Sequence, residues 1–487
     1  MAVDYDIVIL GGSAIARYAA WQAARLQARV ALVEPEDVTL LESHPLYAMR
    51  QAVWMQWAAQ QSPNPQQLFQ QLLSDSPTAE PCDIAQGLEW ATNVVDVYAE
   101  WRSPARLTAA GVDLIIGQGE FCRRPAWGVM AHGRLLRARA YLLAPPSTMS
   151  TRVMRTLDNL DTVDFWTPDS FWMYPPTQLP QRMVMVGGTV RGIEMAQTLA
   201  RLGVEITLVC DRPTLMPELD TDLNAGLQTL LEATGVSVWT NTHLKSLSAP
   251  KPTDPIHLTL AHPSLPPQSL STDGLVIDAP LEPLLTPLNL EAVDLDPNAL
   301  TVNDRLQTAN PRIYALAPTP NAGDLTVYAD LAIHNALFPW TRSLRSVAPL
   351  RVLYCDPPLV ALGLTEAEAQ QRYGNDVVTL VQPFTSLPAA HIRSDLTGVC
   401  KLVLRRNGRL LGAHVLGDGS LEMASAIALL IQNHGSIQHL LTLPLPDLSF
   451  ATVLKQAAYM WQHQQNAHGL RRDLLEGWFE WVRSWTR

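Results

Sequence analysis

One pattern occurs twice in this chain and constrains it more than anything else. An apolar run ends in a pair of glycines, an Ala-rich helical stretch follows, and a second apolar run closes the unit. Residues 4–36 read DYDIVILGGSAIARYAAWQAARLQARVALVEPE. Residues 182–210 repeat the pattern: MVMVGG leads into a helical stretch over 189–202, Gly203 stops it, and 204–209 is a second strand. Strand, tight glycine turn, helix and strand make a βαβ dinucleotide unit. Its turn lets backbone N–H groups and a helix N-terminus face a pyrophosphate. An acid at the end of the second strand can hydrogen-bond a ribose. Glu34 ends the second strand of the first unit, and Asp211 lies just past that of the second, followed by Arg212. An acid there favours NAD over NADP. The expected class is α/β with two Rossmann-like domains.

In G-x-G-x-x-G register the first unit places Gly11, Ser13 and Ala16, with Gly12 beside Gly11. The second places Gly187, Thr189 and Gly192, with Gly188 beside Gly187. The middle glycine normally lets the backbone approach the phosphates, and both units replace it. Each unit is therefore either a nucleotide site or a βαβ fold kept without a nucleotide.

At 487 residues the chain has room for two to four domains, and 47% hydrophobic with 17% charged residues describes a core-forming protein. A formal net charge of −11 argues against nonspecific nucleic-acid binding. The N-terminus lacks a basic n-region and no apolar run is long enough to span a bilayer, so a cytoplasmic location is expected. The five cysteines, Cys82, Cys122, Cys210, Cys355 and Cys400, are scattered without a C-x-x-C pair. That pattern fits a reducing compartment and no metal cage.

Between and beyond the two units the periodicity predicts a helix over 84–106 and short strands at 111–116, 129–131 and 141–143. Residues 258–273, with AHPSLPPQS, read as a turn or surface loop. Residues 275–278 and 312–316 read as short buried strands. The last third carries strand-like runs at 352–364, 377–381, 400–405 and 410–415, and helices at 365–373 and 421–433.

These pieces in this order resemble the pyridine nucleotide-disulfide oxidoreductase family, which includes glutathione reductase, dihydrolipoamide dehydrogenase and mercuric reductase. The likeness spans roughly residues 4–461. YCDPPLVALGLTEAEA (354–369) and TGVCKLVLRRNGRLLGAHVLGDGSLEMASAIALLI (397–431) are similar to the family's dimerisation domain. GGTVRGIEMAQTLARLG puts Glu194 at the family's helix position near the nicotinamide. DRLQTANPRIYAL (304–316) is similar to the segment leading to a second flavin contact. The resemblance implies a glutathione reductase-like architecture. A discontinuous FAD-binding domain (1–150 and 282–345) is interrupted by an NAD(P)-binding domain (151–281). An α+β dimerisation domain (346–461) then forms a homodimer. The implied chemistry runs from NAD(P)H through FAD to a redox disulfide, with a His–Glu pair from the partner subunit handling protons.

The chain departs from that pattern where the chemistry would lie. The family's C-x-x-x-x-C belongs just after Glu34, but residues 35–60 contain no cysteine and ESHPLY (42–47) stands there. No other side chain performs thiol–disulfide exchange. H-P-T-x-x-E reads Leu445-Pro446-Asp447-Leu448-Ser449-Phe450, and neither Leu nor Phe exchanges protons. A-T-G reads Ala144-Pro145-Pro146, G-D reads Ala317-Pro318 and G-R reads Pro280-Leu281. No catalytic residue is assigned. Three functions stay open. One is an FAD-dependent NAD(P)H oxidoreductase passing electrons to a non-disulfide acceptor. Another is an inert pseudoenzyme dimer acting as scaffold or regulatory partner. The third is a nucleotide sensor.

Residues 462–487 add a Trp-rich amphipathic helix beyond the family's usual end. Leu470, Leu474, Leu475, Trp478, Trp481, Val482 and Trp485 recur at helical spacing. Docking on the protein's own dimer is the first expectation. A protein partner and a membrane surface are the alternatives.

Overall fold

A computed structural model of the chain describes residues 3–36, 52–56, 84–100, 102–124, 126–150, 160, 163–248, 255–316, 325–346, 348–467 and 470–485. The segment 42–47, Cys82 and the Ala317-Pro318 pair lie outside the described residues. The chain divides into two compact units, Met1–Pro217 with Gln228–Val347, and Glu218–Leu227 with Ala348–Arg487.

The first unit holds two parallel sheets. In the first sheet the strand order is Ile313–Ala315, Ala138–Leu143, Tyr5–Leu10, Val30–Glu34, Asp113–Ile116. Its strands are apolar on both faces, as a sheet covered on both sides requires. Ile7 and Ile9 meet Ala16, Ala19, Ala20 and Ala23 of the helix Ala14–Arg25. Val8 and Leu10 face Phe121, Val129 and Tyr141 on the other side. The small residues of the helix let it lie close to the strands. The second sheet repeats the arrangement with Val236–Trp239, Glu205–Val209, Arg182–Val186 and Gly274–Ile277. The helix Val190–Arg201 connects Arg182–Val186 to Glu205–Val209. Trp54, at 52–56, is fully buried and stacks on Trp172 with ring centroids 4.7 Å apart.

Three expectations need correction. Residues 258–273 are not a loop: Ile256–His262 and Leu265–Thr272 are paired strands of a three-stranded antiparallel sheet. Leu258 and Leu260 point inward while Leu265–Thr272 is an exposed edge, where Pro266 and Pro267 are tolerated. The helix over 84–106 ends at Glu100, and a second short helix, Pro104–Ala109, starts behind the Ser103 N-cap. The run 352–364 is two strands, Leu350–Leu353 and Leu359–Gly363.

The second unit is built on an antiparallel sheet ordered Leu350–Leu353, Leu359–Gly363, Leu410–Leu416, Val399–Arg405, Val377–Pro383. Helices Ser420–Gln432 and Thr452–Ala467 share its core. Phe450 is buried in that core, its ring centroid 5.5 Å from that of Phe384. The chain ends in the helix Leu470–Trp485. Among the described residues no helix is long and apolar enough to cross a membrane.

Candidate functional site

The first βαβ turn is held shut against its neighbouring strand. Gly11 has φ +143°, and a Cβ there would stand 1.8 Å from the carbonyl oxygen of Ala144. Only glycine fits. Ser13 is the N-cap of the helix Ala14–Arg25. Its hydroxyl accepts from the Ala16 amide at 3.2 Å and donates to the Ala144 carbonyl at 3.2 Å. The hydroxyl replacing the middle glycine is thus committed to capping. Gly12 and Ala16 are buried beside it.

Glu34 ends its strand at 3% exposure. Arg17, one turn into the helix, donates from Nε to both carboxylate oxygens at 3.1 Å and from Nη2 to Oε1. Arg17 Nη1 donates in turn to the Arg102 carbonyl at 3.4 Å. The acid placed by the sequence at the ribose position is therefore held by a buried guanidinium fork.

A cavity of about 810 Å³ opens at the C-terminal ends of Tyr5–Leu10 and Val30–Glu34, the usual ligand position in open α/β sheets. Gly11 is the first-unit candidate that lines it; Gly12, Ser13, Ala16 and Glu34 do not. The sequence reading missed Glu36, Thr148, Asp169 and Ser170 on its wall. The S/T-x-x-S spacing of Thr167 and Ser170, which form a capping box, was the available signal for that corner.

The second unit follows the same plan with a different filling. Gly187 has φ +142°, and its Cβ would stand 1.9 Å from the carbonyl oxygen of Asp278. Thr189 is the N-cap of Val190–Arg201, but its side chain makes no cap bond. Its amide donates to Asp278 Oδ2 at 2.7 Å and its hydroxyl to Asp278 Oδ1 at 2.6 Å. A Cβ on Gly192 would lie 2.1 Å from Asp278 Oδ2. Asp278 is 3% exposed. Burial pushes its carboxyl above the usual range, opposed by the Thr189 bonds and by the charges of Arg191 and Arg212. The Arg212 guanidinium donates to the Gly188 carbonyl. Glu194 is buried within the helix, and Asp211 is exposed beyond the strand end. The geometry thus brings Gly187, Thr189 and Gly192 together around a residue the sequence reading passed over as the end of a buried strand. The signal was an acid closing the apolar run Leu275–Ile277.

Cys210, Cys355 and Cys400 are buried and Cys122 is half-buried. Burial pushes the Cys400 thiol up to about 12 and raises that of Cys122, so neither is a ready thiolate. Among the described residues no three His, Cys, Asp or Glu side chains cluster to hold a metal.

The family model of the pyridine nucleotide-disulphide oxidoreductases matches residues 5–332, and that of the family's dimerisation domain matches 350–458. The chain belongs to this family. The mercuric reductase of Streptomyces lividans is 29% identical over 484 residues, covering 93% of this chain and 95% of that protein. The mercuric reductase of Bacillus cereus is 24% identical over 466 residues, covering 93% and 71%. In fold, the chain is similar to the HOCl-induced flavoprotein disulfide reductase RclA from Escherichia coli. That structure superposes with a TM-score of 0.74 at 20% identity, over 94% of this chain and 100% of the other. Among pyridine nucleotide-disulphide oxidoreductases the two βαβ units imply FAD and a nicotinamide dinucleotide as cofactors. The dimerisation domain points to a homodimer.

Proposed function

We propose that this chain is an inert member of its family, a homodimer that serves as a scaffold or regulatory partner without disulfide reduction. The buried Arg17–Glu34 pair carries this reading. A ribose hydroxyl would have to share a carboxylate that already accepts from Arg17 and is almost closed to solvent. Breaking such a pair to admit a ligand leaves an uncompensated buried charge. The absence of cysteine from 35–60 supports the same reading, as do Leu445 and the core residue Phe450 in place of proton-carrying groups. On this reading Gly11, Gly12, Ser13 and Ala16 of the first unit and Gly187, Gly188, Thr189, Gly192, Glu194 and Asp211 of the second keep the fold. The scattered cysteines fit a reducing, cytoplasmic setting.

The cavity of about 810 Å³ beside Gly11 favours a second reading, an FAD-dependent NAD(P)H oxidoreductase delivering electrons to a non-disulfide acceptor. The visible spectrum of the purified protein separates the two. The inert reading expects no flavin absorbance, none released on denaturation and none gained with added FAD. Stoichiometric flavin would overturn it.

A further inference from the structure

The two βαβ units serve as controls for each other. In each, the strand beside the opening strand is followed directly by a residue whose carbonyl presses on the first glycine. Ala144 stands against Gly11 at 1.8 Å from the built Cβ, and Asp278 against Gly187 at 1.9 Å. Ala144 has a methyl side chain, and there the N-cap hydroxyl of Ser13 turns inward to cap its own helix. The equivalent residue of the second unit has a carboxylate. It reaches across to the helix start and accepts both the amide and the hydroxyl of Thr189, at 2.7 and 2.6 Å.

We propose that the Asp278 carboxylate is a resident anion standing in for a cofactor phosphate, so that the second unit refuses nicotinamide dinucleotides. A helix N-terminus with a free amide attracts phosphate oxygens because its N–H groups and dipole favour negative charge. Here a side chain of the protein meets that preference. The third motif glycine also changes meaning. Gly192, at the position that ordinarily permits close helix–strand packing, here leaves room for Asp278 Oδ2, which lies 2.1 Å from where its Cβ would stand. An incoming pyrophosphate would meet a like charge in a closed setting, which discriminates strongly against it. Arg212 adds to the closure by binding the Gly188 carbonyl across the turn. This inference concerns the second unit and goes beyond the flavin question: a flavin-containing protein with a closed second unit and a colourless one with an open second unit are different results.

The test titrates the full-length protein, Asp278→Ala and Asp278→Asn with NADH and with NADPH, reading nicotinamide fluorescence and the shift in melting temperature. Wild type is expected to show no saturation up to millimolar dinucleotide. Asp278→Ala removes both charge and bulk, and is expected to bind at least one dinucleotide on the order of a hundredfold tighter. Asp278→Asn keeps the bulk and drops the charge, so a smaller gain is expected. It also remains informative if the alanine variant fails to fold. Saturable micromolar binding by wild type would overturn the proposal. So would folded variants that bind no better than wild type.

Discussion

Arg17 and Glu34 are joined through the Nε of one and both carboxylate oxygens of the other, at 3.1 Å, with both side chains nearly out of solvent. The pair ties the helix Ala14–Arg25 to the end of the neighbouring strand. Removing one partner strands the other charge. Arg17→Leu is expected to cost about 3–5 kcal/mol, and Arg17→Leu with Glu34→Leu less than the sum of the two single changes. Chemical denaturation of the four proteins measures the coupling. Additive losses would show that the pair does not act as a unit.

Gly192 and Asp278 give a sharper double substitution. Gly192 lies within a helix, where alanine is intrinsically better by roughly 0.5–1 kcal/mol. In wild type, Gly192→Ala is nonetheless expected to destabilise, because its Cβ would meet Asp278 Oδ2 at 2.1 Å. In an Asp278→Ala background the obstacle is gone, and Gly192→Ala should become neutral or stabilising. Thermal melts of the single and double variants read this change of sign. An equal penalty in both backgrounds would mean that Gly192 answers to something other than Asp278.

Most of the fold was legible because packing needs only apolar residues at the right period. Ile7, Ile9, Val8 and Leu10 alternate between two covered faces, and each glycine pair announces a turn. The Leu265–Thr272 strand was not legible: its prolines read as a loop signal, and only its edge position beside Ile256–His262, which sequence spacing does not announce, makes them acceptable. The site was less legible than the fold. Ser13 and Thr189 were visible as departures, but what they bond to is decided by Ala144 and Asp278, 131 and 89 residues away. Sequence spacing shows where a phosphate would lie. It does not show that Asp278 already lies there.

His414 gives the compact unit of Glu218–Leu227 and Ala348–Arg487 a dependence on pH. The ring is fully buried, with Nε2 3.1 Å from the Leu364 carbonyl and no partner for Nδ1 among the described residues. Burial lowers its pKa, with Lys401 and Arg351 acting in the same direction and the Leu364 carbonyl and Asp220 opposing them. The unfolded chain therefore binds the proton more readily than the folded one. Stability is fully present above the unfolded value, about 6.5, and is lost as pH falls through the lower folded value. Melting temperature is expected to decline on acidification in that window, and His414→Gln should remove that part of the slope. A wild-type profile parallel to that of His414→Gln would contradict the assignment.

The closing helix, Leu470–Trp485, carries Trp478, Trp481 and Trp485 in sequence, with successive ring centroids 5.3 and 4.9 Å apart. Their exposures within this chain are 56%, 49% and 75%. Indoles at that exposure contribute little to the core, while exposed aromatic surface promotes association. The dimerisation match ends at residue 458, before this helix. Truncation after Ala467 is therefore expected to leave a folded dimer with an unchanged melting temperature and weaker binding of apolar dyes. Light scattering, melting curves and dye fluorescence of the truncated chain measure the three terms. A lower melting temperature or aggregation would instead show that the helix is held by the protein's own dimer and contributes to its stability.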